Sequence, residues 1–166
     1  MPPECSAARR AAGIDDRLLL ICALATAAGL IHVLAAIEHV QEYALYAVFF
    51  ALLAPAQVGW AIAVYRTRAP RLLVLGAVGC LAIVALWIFS RTTGLPIGPD
   101  PWHPEATGTL DVTASLNELV LVWLITCRLR PPASRAIRWL DRGVVSLAVV
   151  LLLTSSLVLV GPGHQH

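Results

Sequence analysis

Lysine is missing from this chain altogether, so all twelve basic residues are arginine. That absence is the mark of a high-G+C codon bias and carries no chemistry. Charge of either sign is scarce too, at 13% of residues against about 25% in an ordinary soluble domain. Long polar stretches are also lacking. The longest runs over residues 90–110, which leaves no material for a second globular domain. Methionine occurs once, and the four cysteines form no C-x-x-C pair. Copper(I) handling and thiol–disulfide exchange both lose their usual ligands and nucleophiles by this count.

What fills the 166 residues instead is apolar: 58% hydrophobic residues and a mean hydropathy of +0.77. Such a chain is expected to be an integral membrane protein, all-α, folded as one polytopic bundle over residues 1–166. Five runs are long enough to cross a bilayer, at about 18–37, 43–65, 72–89, 111–127 and 143–160. The first follows a basic start, as a signal peptide would. It is too long for a signal core and has no small-x-small cleavage site, so it reads as a retained span.

The spans differ in character. Pro55 and Gln57 interrupt the second, and a proline there removes a backbone hydrogen bond, so this face is expected to look into the bundle. Gln57 itself reads as a packing or water-bridging residue. Gly76, Gly79 and Cys80 make the third span a close-packing surface. Residues 90–110, Ser-Arg-Thr-Thr-Gly-Leu-Pro-Ile-Gly-Pro and onward, hold too many prolines and glycines for a helix and predict a compact loop over the bundle. Asp111, Thr113, Ser115, Asn117 and Glu118 make the fourth span too polar to face lipid. Residues 135–142 place Ile137, Trp139 and Leu140 among Arg135, Arg138 and Arg142, a pattern that suits either an interfacial helix or a plain basic loop.

Arginines orient the whole. With five spans and a cytoplasmic N-terminus, every arginine except Arg91 falls on the cytoplasmic side, which predicts a multi-pass protein of the cell membrane with an extracytoplasmic C-terminus. Topology therefore accounts for the basic residues, and nothing is left to suggest nucleic-acid binding. The same topology sends His32, His39, His103, His164 and His166 to the outer half, with Glu38, Glu42, Asp100, Glu105, Asp111 and Glu118 beside them.

His32 and His39 lie seven residues apart, so they share a helix face about 10 Å apart along the axis. Asp111 and Glu118 repeat that spacing on a helix running the other way. Two tiers of imidazole and carboxylate are expected, His39 with Asp111 and His32 with Glu118, with Ser115 between the two acids. His39, Glu38, Glu42 and Asp111 also suit wet helix ends, where an acid near a helix N-terminus is favoured by the dipole. His32 and Glu118 lie deeper, where an ionisable group is costly unless paired or hydrated, and they are functional candidates by default. Arg91 reads equally as an interfacial anchor and as a partner for Glu38, Glu118 or an anionic ligand.

The H-x5-E-H run beginning at His32, the Ser90-Arg91-Thr92-Thr93-Gly94-Leu95-Pro96 segment, and then Glu105, Asp111 and Glu118 resemble a group of small multi-spanning membrane proteins of high-G+C bacteria. The resemblance runs from His32 to Glu118. It implies the architecture and brings no activity with it.

Three functional readings stand open on these residues. The first is a divalent transition-metal site of His32, His39, Asp111 and Glu118, with Glu42 and His103 as further ligands, a donor set that suits zinc, iron, manganese or copper(II). The second is a proton- or ion-coupled translocator in which His32 and Glu118 relay protons. The third is an accessory or structural subunit with no chemistry of its own. No catalytic residue is identified, and whether the chain is an enzyme is open at this point. The partners to expect are the lipid bilayer and other subunits of a homo- or hetero-oligomer.

Overall fold

The structure, a computed structural model, describes residues 15–130 and 134–160, with side chains through Ser155; Cys5, Arg9, Arg10, His164 and His166 lie outside these. Five helices make up the described chain: α1 (Asp16–His39), α2 (Ala44–Thr67), α3 (Pro70–Thr92), α4 (Thr109–Leu129) and α5 (Arg135–Val160). The first four are long and apolar enough to cross a membrane. α5 is less apolar, because Arg135, Arg138, Asp141 and Arg142 occupy its first two turns. Residues 135–142 are neither a separate interfacial helix nor a loop, since they continue without a break into the apolar run.

Local chemistry sets the helix ends. Asp15 starts α1 by accepting a hydrogen bond from the Leu18 N–H at 3.1 Å, and Asp16 adds negative charge to the first turn. A tight turn follows, closed by the Tyr43 N–H donating to the His39 carbonyl at 3.0 Å, so α2 returns directly along α1. Pro70 occupies the first turn of α3, where its missing N–H removes nothing. At the start of α4 the Asp111 carboxylate accepts the Gly108 N–H at 3.0 Å.

α1 packs on α2, α4 and α5, and α4 packs on α1, α3 and α5, while α2 and α3 touch more lightly. The first four helices thus close a ring, with α5 laid outside against α1 and α4. Burial follows this plan: 56% of the apolar stretch of α1 is covered against 17% of that of α3, so α3 presents most of its surface to lipid. The core is built where α1 meets α4, from Ile21, Leu24, Ala25, Leu121, Leu124 and Ile125, all fully buried.

Two glycines permit close approach. A side chain at Gly29 would press on the Ala54 carbonyl of α2, and one at Gly76 would collide with the Trp60 indole, which spans from α2 to donate to the Leu72 carbonyl at 2.7 Å. Pro55 corrects an expectation, because its side chain is exposed on the outer surface of α2 and lines an apolar groove with Gly29, Val33 and Val48. The helix continues through it. The proline's face is turned outward because Ala54 and Gln57, on the adjoining faces, are the residues taken into the bundle.

At the arginine-rich end, polar ties fix α5. Arg17 donates two hydrogen bonds to Asp141, at 2.9 and 2.5 Å, and the Trp123 indole N–H donates to the same carboxylate at 3.2 Å. The Arg17 guanidinium holds the Asp141 carboxyl below the usual carboxylate range. Arg128 pairs with Asp15 at 2.7 Å across the same end. At the opposite end, residues 93–108 fold into the expected turn-rich loop. Trp102 N–H donates to the Leu95 carbonyl at 2.8 Å, Glu105 N–H to the Ser90 carbonyl at 3.1 Å, and the Tyr46 hydroxyl of α2 to the Ile97 carbonyl at 2.8 Å. The loop is therefore tied to both α2 and α3.

A buried histidine–carboxylate site beneath a polar cleft

Two polar constellations lie one above the other in the half of the bundle covered by this loop. The deeper one is sealed. His32 on α1 is 2% exposed and Glu118 on α4 fully buried, with His32 Nε2 at 3.6 Å from Glu118 Oε1. That is the deep pair the seven-residue spacings predict. Gln57 on α2 joins it, donating from Nε2 to Glu118 Oε1 at 2.6 Å. The sequence reading gave Gln57 a packing or water-bridging role; the structure makes it the nearest partner of the carboxylate. The Cys80 thiol on α3 lies close enough to interact with the same group. Each helix of the ring thus contributes one polar side chain to a single point. The backbones of α2 and α4 do not touch, so the Gln57–Glu118 bond crosses the diagonal of the ring.

This interior is polar beyond its own means. His32 Nδ1 and Nε2, Gln57 Oε1 and Glu118 Oε2 are all buried without a hydrogen-bond partner. Unmet buried polar atoms cost about 1–3 kcal/mol each, so four at one place mark a site whose polarity does not serve packing. Asn117, one residue from Glu118, is half satisfied: its Nδ2 donates to the Leu24 carbonyl at 3.1 Å and ties α4 to α1, while its Oδ1 is buried without a partner. Ser115 is buried as well, on the face of α4 that carries Glu118.

Above the sealed tier lies a cleft of about 630 Å³ lined by Glu38, His39, Glu42, Arg91, His103 and Asp111 among others. The residues that topology sorts to one side are thus gathered at one end of the fold. Their pairing differs from expectation. Asp111 does not face His39: it accepts from Arg91 Nη2 at 2.7 Å, and Arg91 also pairs with Glu105 and donates to Ser90 at 3.2 Å. His39 instead turns back on its own helix, with Nδ1 at 2.8 Å from the Ala35 carbonyl and Nε2 at 3.7 Å from Glu42. The physical reason is competition, because a charged guanidinium with its forked donors binds carboxylates better than an imidazole does. Arg91 is therefore held by Glu105 and Asp111 rather than by Glu38 or Glu118, and it closes the loop onto α4. His103 is exposed, with Nδ1 at 3.2 Å from the Pro101 carbonyl, and Glu38 is exposed.

The two tiers are separated by one ring. Phe50 of α2 stacks on His32 with centroids 5.6 Å apart and meets His39 at 5.2 Å, so it stands between the cleft and the buried pair. Toward the other end of the bundle, Leu24, Leu121, Leu124 and Ile125 close the interior with apolar side chains. The site is accordingly nearer to the cleft than to the arginine-rich end.

For metal chemistry the arrangement is thin. Among the described residues no three His, Cys, Asp or Glu side chains come together closely enough to hold an ion, and the four-residue set His32, His39, Asp111 and Glu118 is divided between the tiers. Signals for Gln57 and Phe50 were faint in the sequence. A glutamine inside an apolar span is conspicuous, but its partner is set by the diagonal geometry of the ring, and a phenylalanine in such a span looks like any other lipid-compatible residue. Compared with protein-family models, with curated proteins and with solved structures, the chain matches none.

Proposed function

We propose that this is an integral membrane protein that takes up and releases a proton at the buried His32–Glu118 pair, exchanging with the cleft side. That places it with proton-coupled membrane proteins ahead of metal carriers. The observation that carries the reading is the convergence of His32, Gln57 and Glu118 in a sealed interior where both imidazole nitrogens and one carboxylate oxygen have no protein partner.

The chemistry follows from net charge. One proton shared by imidazole and carboxylate leaves the pair neutral overall, whichever group holds it, and a neutral pair is the form a low-dielectric interior tolerates. Gln57 supports the carboxylate by donating to Oε1, leaving Oε2 free to take the proton. Exchange with the cleft requires Phe50 to swing, since its ring lies between His32 and His39. Arginine distribution supports an arrangement with the cleft outside the cell and the N-terminus in the cytoplasm.

Infrared difference spectroscopy of the untagged protein in vesicles tests the reading. A carboxyl stretch that rises and falls with pH, shifts in D2O and disappears in Glu118→Gln supports it, and His32→Gln should displace its midpoint. A spectrum without such a band across the range where the protein stays folded rejects it and favours an accessory subunit. Stoichiometric metal in the purified protein, lost in His32→Ala, would replace the proton with a metal.

A further inference from the structure

His39 touches both the cleft and the ring that closes the interior. It lies seven residues beyond His32 on α1, so the two imidazoles share a face of the helix about 10 Å apart along its axis. A direct proton hop over that length is excluded, since transfer needs heavy atoms about 3 Å apart or one water between them. Phe50 fills the gap, its centroid 5.6 Å from the His32 ring and 5.2 Å from the His39 ring. The His39 side chain is 19% exposed and borders the cleft, whereas His32 is 2% exposed. One imidazole is wet, the other is dry, and a single phenylalanine separates them.

The surroundings of His39 select the nitrogen that exchanges. Nδ1 lies 2.8 Å from the Ala35 carbonyl, which only accepts, so Nδ1 keeps its hydrogen and donates it there. Nε2 is left with the lone pair, 3.7 Å from Glu42. A proton added at Nε2 makes an imidazolium beside that carboxylate and against the Tyr46 and Phe50 rings, whose centroids lie at 5.9 and 5.2 Å. The other charged and titratable groups around the cleft are Glu38 of α1, Arg91 of α3, Asp111 of α4, and Asp100, His103 and Glu105 of the loop. Arg91 is taken up by Glu105 and Asp111, so Glu38, Glu42 and Asp100 leave the field at His39 negative and draw protons towards it.

We infer that His39 is the proton relay between the cleft and the buried pair. The inference rests on the proton exchange proposed for His32 and Glu118 and names the residue that feeds it. Nε2 takes a proton from cleft water, and His39 becomes cationic. With Phe50 swung aside, a water in the space it leaves passes the proton on to a ring nitrogen of His32, and His39 returns to neutral. The buried pair gains the one proton it lacked and goes from a single negative charge to none. Release runs through the same steps in reverse.

Time-resolved infrared spectroscopy of the full chain in mild detergent, after a jump to lower pH, tests the relay through the rate at which the Glu118 carboxyl band grows. His39→Phe keeps a ring packed against Phe50 and Tyr46 but carries no proton. It should slow the band by about tenfold or more and leave its midpoint nearly in place. In His39→Ala, imidazole added to the buffer should raise the rate several-fold, while the same addition leaves the wild type unaltered. An unchanged rate in His39→Phe overturns the relay and leaves the buried pair standing, because the band itself persists. Failure of imidazole to speed His39→Ala also overturns it and makes His39 a packing residue. If His39→Phe does not fold, the imidazole response of His39→Ala decides alone. A wild type without the band fails at the buried pair, before His39 is involved, and rejects both readings.

Discussion

The buried tier and the cleft tier use the same kinds of side chain and reach opposite states. Around Arg91, each carboxylate has a charged partner, and Asp111 also accepts the Gly108 N–H at the start of its helix. Side chains there are 13–32% exposed, and Arg91 Nε is buried without a partner. Around Glu118, the side chains are buried and four polar atoms of His32, Gln57 and Glu118 are without protein partners. The charged pairs of Arg91 explain structure: they fasten the loop to α3 and α4. The interior pair, 0–2% exposed and with four such atoms, has no such explanation, and this is why the proposal is built on it. The contrast also shows that depth alone, seven residues along each helix, changes what an imidazole facing a carboxylate can do.

Substitutions in each tier test this contrast. The largest effect is expected at Glu118. Glu118→Ala removes the centre of the buried network and should cost about 3 kcal/mol or more, read as a large drop in thermal stability in detergent. His32→Ala combined with Glu118→Gln should cost less than the sum of the single changes by about 1 kcal/mol, because the second removal strands nothing new. Strict additivity would show that the pair does not interact.

Next comes Gly76→Ala, which tests the ring that positions the pair. Its methyl group would overlap the Trp60 indole, and the strain should cost about 1–3 kcal/mol. Gly79→Ala on the same helix meets nothing and should be neutral, so similar losses at both positions would count against the α2–α3 packing.

Arg91→Gln should cost about 1–2 kcal/mol and loosen residues 93–108, seen as faster hydrogen exchange at the Trp102 and Glu105 amides, while leaving the Glu118 infrared band in place. Coupled loss of both would mean that the tiers are one system. Phe50→Ala should accelerate proton exchange at the buried pair with a smaller effect on the exchange midpoint. An unchanged rate would remove Phe50 from the access route.

The smallest effect is a pH dependence at the far end. Arg17 lowers the folded-state pKa of Asp141 below its unfolded value. The stabilisation is therefore complete above the unfolded pKa and is lost as pH falls through the lower, folded one. Acid titration of thermal stability should show this loss in the wild type, and Asp141→Asn should flatten it. An identical acid profile in the variant would assign the loss to other carboxylates.

Much of the architecture was legible in order of residues alone, because lipid forbids an unsatisfied backbone and so forces apolar runs of this length into helices. Residues 16–39, 44–67, 70–92 and 109–129 match the first four of the five expected spans to within three positions at each end, while the fifth helix is less apolar. The depth of His32 and Glu118, and their facing each other, also followed from the helical repeat and the antiparallel order of α1 and α4. Helical periodicity was silent on the choice among partners at equal depth. Whether Asp111 met His39 or Arg91 depended on where the loop delivered the end of α3, and the stronger donor took it. Gln57 reached Glu118 only because the ring brings α2 and α4 to opposite corners with a polar gap between them. Side-chain identity and spacing determined the helices, their direction and the level of each charge; the packing of four helices around one point decided which of those charges were paired, which were sealed, and which were left with bonds to make.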